Sequence, residues 1–379
     1  MHVLYKMRGL SQVPSIYIYN HERERVGLLQ HDDSVQWMEF YAEAGEVKIV
    51  AQITPENLEY LVDGNRLYNP DVDTVARISH IDKEELKKEN LITVRADITS
   101  ELFSDRVVMA TVNVTNVEAA MYSVYAQNRR GLPIDIGGAE GFTEQQDMEI
   151  TWNSVLDAEM RLAEVSGLGF KVLFDPETGT ETFKVYRGVD RTDDSSPDYI
   201  GYFGTDVEAI ENVTVTSGTT EYKNVAVVAG AGEGANRTVR IVSLYPVAGE
   251  NRRELFVDAR DLQREYQVAT PTGDVDSQGD PVFAFETHKY TESQYQALLD
   301  QRGREKLSEN LRTFSVTCDI TQNNMVYGID YNLGDRVPVK LPKYNLYATA
   351  RLAAANMVYE RGSTRIVAIL SEFELEESK

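Results

Sequence analysis

The stretch YGIDYNLGDRVPVKLPKYNLYATARLAAANMVYERGSTRIVAILSEF, Tyr327 to Phe373, decides the fold class. Val337 and Val339 alternate between the charged neighbours Arg336 and Lys340, and β-branched residues return at Thr364, Ile366 and Val367, which predicts a hairpin with a following strand. The reverse turn falls at Asn332 to Asp335. Gly334 sits where a tight turn needs a positive φ, Asp335 can bond the turn backbone, and Arg336 is counted with them in the turn. None of these three residues carries catalytic chemistry, so they are structural candidates.

Working outward, strand signals recur at Ser15 to Asn20, Gly45 to Ile53, Asp73 to Ile81 and Asn90 to Ile98, with a turn at Asp63-Gly64. Residues 1 to about 126 therefore read as mostly β, a barrel or sandwich. Arg129 to Phe142 reads as a loop broken by Gly and Pro. Thr151 is the expected cap of a helix from Trp152 to about Val165, stopped by Gly167, with a strand pair around the Asp175-to-Gly179 turn beyond it. Arg252 to Tyr266 suggests a short helix and Thr270 to Asp280 a polar loop. Thr291 and Gln294 form a capping box for a helix towards Leu311, with Gly303 a weak point. Arg312 to Ile320 returns to strand, placing Cys318 on an apolar face with Phe314, Val316 and Ile320.

Composition narrows the function classes. At 379 residues the chain exceeds one ordinary core, and 42% hydrophobic with 26% charged residues describes a folded, soluble protein. No leader follows Met1 and no apolar run reaches the length of about 18 residues that suggests a membrane span. The net charge of −23 opposes sequence-independent nucleic-acid binding. A single cysteine excludes an intrachain disulfide framework and fits a reducing cytosol.

Enzymatic signals do not assemble. VAVVAGAGEGA matches a dinucleotide fingerprint at Gly230, Gly232 and Ala235, with Glu250 as a distant acid. A strand-like NRTVRIVS follows where the fingerprint needs a helix, so a glycine-rich hairpin loop is expected. His2, His21, His31, His80 and His288 are too far apart for a local metal motif, and no G-x-S-x-G elbow occurs. Asp193, Asp194, Glu374, Glu376 and Glu377 read as solvated surface, and the sequons at Asn113, Asn212 and Asn236 as chance. No catalytic, cofactor-binding or metal residue is assigned, and no cofactor is expected.

The turn YNLGDRVPV, the ARL strand, the VYERG turn and the closing TRIVAILSEF strand resemble the end of siphovirus tail hub proteins. These are counterparts of the central baseplate hub of contractile phages. The resemblance continues upstream in order through LAEVSGLGFKVLFD (Leu162 to Asp175), FKVYRGVDRT (Phe183 to Thr192), EYKNVAVVAGAGEGANRTVRIV (Glu221 to Val242) and RRELFVDARDL (Arg252 to Leu262). It implies a mainly β fold with α+β insertions: two β-barrel-like tube domains plus two smaller α/β domains. The first tube domain would span 1–135, a small α/β domain 136–210, the second tube domain 211–251 with 312–379, and a helical insertion 252–311.

The implied function is structural: a homotrimeric hub at the tail tip, joining a six-fold tail tube to a three-fold tip and lining the DNA exit channel. Implied partners are the distal tail protein ring, the tape-measure protein and tail fibre or spike proteins, with DNA only as passing cargo. Synthesis in the bacterial host cytoplasm and residence at the virion tail tip follow. Two alternatives stand beside it: a tail-associated peptidoglycan hydrolase, and a host-wall carbohydrate-binding module using aromatics such as Tyr17 and Tyr19.

Overall fold

The computed structural model describes residues 15–30, 32–85, 90–109, 111–275, 281–322, 325–360 and 363–375. His2, His31, the turn at Arg361 and Gly362, Glu376, Glu377 and the end of the expected 270–280 loop lie outside them.

The N-terminal part holds strands β1 (Tyr17–Tyr19), β2 (Arg25–Leu28), β3 (Asp32–Phe40), β4 (Glu46–Gln52), β5 (Arg66–Tyr68), β6 (Val75–Glu85) and β7 (Asn90–Ile98), with the short helix α1 (Pro55–Tyr60) between β4 and β5. They pair antiparallel in the order β3-β4-β7-β6-β5-β1-β2. In β4, Val47, Ile49 and Ala51 point into the core while Glu46 and Lys48 face solvent, the period-2 pattern that made this strand visible in the sequence. Trp37, Ile49, Ile78 and Val94 are fully buried in that core. Tyr19, on β1 between β5 and β2, is buried against Phe174, and Tyr17 stacks on Tyr68, so neither stands out as a sugar platform.

A second core lies around β8 (Val112–Asn116), α2 (Val117–Asn128), β9 (Ile134–Ile136), β10 (Gln145–Ile150), α3 (Val155–Ser166), β11 (Gly169–Asp175) and β12 (Thr180–Tyr186). Two expectations are corrected here. Residues 117–128 are helical rather than β: Asn116 caps α2 by accepting from the Ala119 amide at 2.8 Å, and Val117, Met121, Val124 and Tyr125 are buried. Helix α3 is capped by Ser154, whose hydroxyl accepts from Asp157 N at 3.0 Å, so Thr151 is not the cap and Trp152 lies outside the helix. Gly167 ends α3 in the left-handed region, φ 68°, as glycine permits.

The remaining strands are β13 (Phe203–Gly204), β14 (Ile210–Gly218), β15 (Val225–Ala229), β16 (Val239–Ser243), β17 (Glu254–Asp258), β18 (Glu265–Val275), β19 (Pro281–Lys289), β20 (Thr313–Ile320), β21 (Arg336–Leu341), β22 (Leu346–Glu360) and β23 (Ser363–Leu375), with α4 (Glu292–Ser308) after β19. The Gly230-to-Thr238 segment joins β15 to antiparallel β16, so the glycines open a hairpin loop and no α-helix. The expected short helix at 252–266 is instead β17 and the start of β18. Its mixed charges are the solvent side of an alternating strand whose Val257 is buried. The expected polar loop from Thr270 belongs to β18 as far as Val275, in a two-stranded arm with β19. The Thr291–Gln294 capping box starts α4, which runs through Gly303 because a Cβ there would lie 2.7 Å from Val242 Cγ2 and 2.9 Å from Val228 Cγ2. The missing side chain is what lets α4 lie on β15 and β16.

The C-terminal hairpin organises the whole. Strand β22 pairs with β21 through Leu346 to Arg351 and with β3 through Ala354 to Glu360, while β23 runs beside it from Ser363 to Leu375. Leu346, Ala348, Ala350 and Leu352 enter the core built with β20 and β21; Ala355, Met357 and Tyr359 enter the N-terminal core. Both sheets are thereby one path, β14-β20-β23-β22-β3-β4-β7-β6-β5-β1-β2, with open ends. The fold is mainly β with several sheets. Among the described residues no barrel closes: two cores lie on one continuous open sheet, because a 15-residue strand is long enough to serve both.

Candidate functional site: the junction at Asp335

The sequence-selected turn lies where three parts of the chain meet. Gly334 has φ 90°, and Asp335 N donates to Asn332 O at 3.1 Å, closing the turn. Asp335 is buried, and its carboxylate accepts from Asn332 N at 2.9 Å, Val189 N at 2.7 Å and Arg191 Nε at 2.6 Å. The backbone completes the zip: Arg336 N donates to Val189 O and Arg191 N to Arg336 O, each at 2.9 Å. Arg336 reaches outward to Glu374 at 2.7 Å and to Thr349 Oγ1 at 3.3 Å.

Tyr41, just beyond β3, is the residue that sequence reasoning missed. Its hydroxyl donates to Gly167 O at 3.0 Å and its ring meets Tyr186 edge-on at 5.1 Å. Burial pushes its phenol above the usual range, with Arg351, 4.8 Å over the ring, opposing that shift. A Cβ on Gly334 or Gly169 would collide with the Tyr41 ring, and one on Gly188 with Gly334 O. Three glycines are therefore required by close approach, and the positive φ of Gly334 is a second reason at that position. Gly188, Arg191 and Arg351 were visible only as letters in the RGVDRT and ARL segments, while Tyr41 carries no local signal.

Beside the junction lies a cavity of about 360 Å3 lined by Glu39, Lys171, Tyr186 and Tyr327 among others. Burial raises the Glu39 carboxyl above the ordinary range despite a bond from Thr74. Among the described residues no group of three or more His, Cys, Asp and Glu is arranged to hold a metal ion. Cys318 is buried in β20 and its thiol is pushed up to about 12, mainly by desolvation, which leaves no thiolate for nucleophilic work near neutral pH. The arrangement at Asp335 joins distant parts of the chain through one buried carboxylate.

A second surface is distinctive. The sheet β16-β15-β17 packs one face on α4, and on the other Ile241 (62% exposed), Val227 and Phe256 (63% exposed) stand in one cross-strand row. No helix among the described residues is long and apolar enough to cross a membrane.

Among solved structures, the chain resembles the tail protein from Neisseria meningitidis MC58 at 14% identity and TM-score 0.55, covering 95% of this chain and 96% of that one. It also resembles the 43 kDa tail protein of prophage MuSo2 from Shewanella oneidensis, at 10% identity and TM-score 0.56, covering 96% and 100%. At these identities the likeness is one of fold. No curated protein matches the sequence. The family model of siphovirus ReqiPepy6 Gp37-like proteins matches residues 15–370, so the chain belongs to this siphovirus tail protein family.

Proposed function

We propose that this tail protein is a non-enzymatic hub at the tail tip, a homotrimer whose chains each supply two β cores to a ring. The observation that carries the reading is the shared hairpin β22–β23, which holds two β cores side by side in every chain. Three chains then present six barrel-like wall segments, matching a six-fold tail tube on one side and a three-fold tip on the other. The exposed row of Ile241 and Phe256 is the kind of surface that assembling proteins cover. Three copies carry three times −23, and an acidic bore would repel passing DNA rather than retain it. The domain bounds 1–135, 136–210, 211–251 with 312–379, and 252–311 belong to this reading. So do its partners: the distal tail protein ring, the tape-measure protein and the fibre or spike proteins of the virion.

Light scattering of the purified chain over a concentration series tests it. The expected mass is three times 42.7 kDa, about 128 kDa, with a pseudo-six-fold ring on imaging. A species that stays at 42.7 kDa, alone and with the distal ring protein, refutes the trimeric hub. A clearing band on a cell-wall zymogram refutes the non-enzymatic part.

A further inference from the structure

Between α3 with its preceding loop and the α4 insertion lies a cleft of about 590 Å3, within the size range of small-ligand sites. Its walls are tied together by Tyr290, which donates to a Glu149 carboxylate oxygen at 2.8 Å, and by the Arg161–Glu305 ion pair.

Two features of the cleft are costly for folding alone. Trp152 lines it and is 67% exposed, with a backbone φ of 57°. Left-handed geometry at a non-glycine residue costs roughly 1–2 kcal/mol. An indole left in water also forgoes its burial. The position is nevertheless fixed, since Trp152 N donates to Val108 O at 2.8 Å and Val108 N to Asn153 O at 2.9 Å. Next to it, Thr151 Oγ1 is buried with no hydrogen-bond partner among the described residues. With no accessible surface, that oxygen is a cost of the fold and not a contact offered to a ligand.

The opposite wall is also aromatic. Tyr266 stacks on Tyr290 with centroids 4.4 Å apart, and Phe285 is about half exposed. The charged groups on the rim are largely paired with each other: Arg302 with Asp261 at 2.9 Å and Lys306 with Glu309 at 2.7 Å. Carboxylates outnumber cations along the lining, which disfavours phosphates and other anions.

We propose that this cleft binds an uncharged saccharide. A pyranose ring combines an apolar C–H face, which stacks on an indole or phenyl ring, with hydroxyls that can donate to rim carboxylates. Neither a purely apolar ligand nor an anion uses all of these groups. The site is independent of the trimer reading, because every residue in it comes from one chain.

Trp37 is fully buried, so quenching of tryptophan fluorescence by neutral acrylamide reports on Trp152. The probes are tetrasaccharides of N-acetylglucosamine, glucose and galactose, titrated into the full chain. The expected result is saturable protection from quenching by at least one of them, with half-saturation at or below about 1 mM. Calorimetry should show that binding is lost in Trp152→Gly, a substitution that relieves the backbone, and weakened roughly tenfold in Phe285→Ala, which removes the exposed ring of the facing wall. Circular dichroism confirms that both variants fold. No protection by any of the three sugars overturns the proposal, as does binding that Trp152→Gly leaves unchanged. Protection by a neutral tetrapeptide and by none of the sugars reassigns the cleft to a peptide and overturns it equally.

Discussion

Replacing Asp335 by alanine is expected to open the junction locally. The carboxylate accepts hydrogen bonds from Val189 N, Arg191 Nε and Asn332 N, and the Arg191 side chain is 10% exposed. Its loss leaves a nearly buried guanidinium whose remaining described bond is Nη1 to Asp198 O at 3.1 Å, together with two backbone donors that lose this acceptor. Breaking a buried pair by removing one partner costs about 3–5 kcal/mol. At 1.4 kcal/mol per tenfold, protection of the Val189 and Asn332 amides against hydrogen exchange should fall about a hundred- to several-thousand-fold. Arg191→Met in the Asp335→Ala background removes the stranded charge, so the double variant should recover part of the loss. Unchanged exchange at both amides, or losses that simply add in the double variant, would refute the reasoning.

Gly334→Ala should lower the thermal unfolding midpoint, since the new Cβ meets the Tyr41 ring at a positive φ, an overpacking worth about 1–3 kcal/mol; Tyr41→Ala in the same chain should relieve the collision but not the backbone strain. Cys318 should be silent to a thiol reagent in the native protein and titrate as one thiol per chain in denaturant, because burial both hides it and raises its pKa. Glu159, fully buried with no partner for either oxygen among the described residues, is held well above the ordinary 4.5 by desolvation. The folded state therefore keeps its proton where the unfolded state loses it, and stability falls as pH rises through and above 4.5. Glu159→Met should be more stable than the parent at pH 8 by about 1–3 kcal/mol, with a smaller advantage at pH 5, read from urea midpoints.

Local patterns told most where one face of an element is buried and the other wet. Strand β4, the β15–β16 hairpin and the Thr291 capping box were legible because period 2, turn glycines and cap chemistry act within a few residues. Helix α2 was hidden: with Val117, Met121, Val124 and Tyr125 buried and few charges, its composition reads as strand as easily as helix. For α3, Thr151 and Ser154 both offer a hydroxyl three residues from a following amide, and the backbone of Trp152 decides between them. Of the candidate site, the Gly334-Asp335 turn was legible and its partners were not. Tyr41 and Val189 reach it from about 294 and 146 residues away by chain, contacts that no local signal encodes.

The same geometry explains why the junction sits where it does. Strand β22 leaves β21 at Arg351 and joins β3 at Ala354, and its register with β23 shifts on either side of Arg351, between Thr349 and Arg351 and between Leu352 and Ala354. Bulges sharpen the twist, which is how one strand turns successive side chains into two different cores. At this point Leu352 O accepts from Gly334 N at 2.8 Å, Ala353 O accepts from Tyr41 N at 2.9 Å, and Arg351 donates to Gly334 O at 2.9 Å. The change of partner and the docking of the α/β part are therefore held by the same few bonds. Opening the Asp335 turn should loosen the Tyr41 amide together with those of Gly334 and Val189. Exchange that rises at Val189 alone, with Tyr41 still protected, would mean that the two cores are joined independently of the turn.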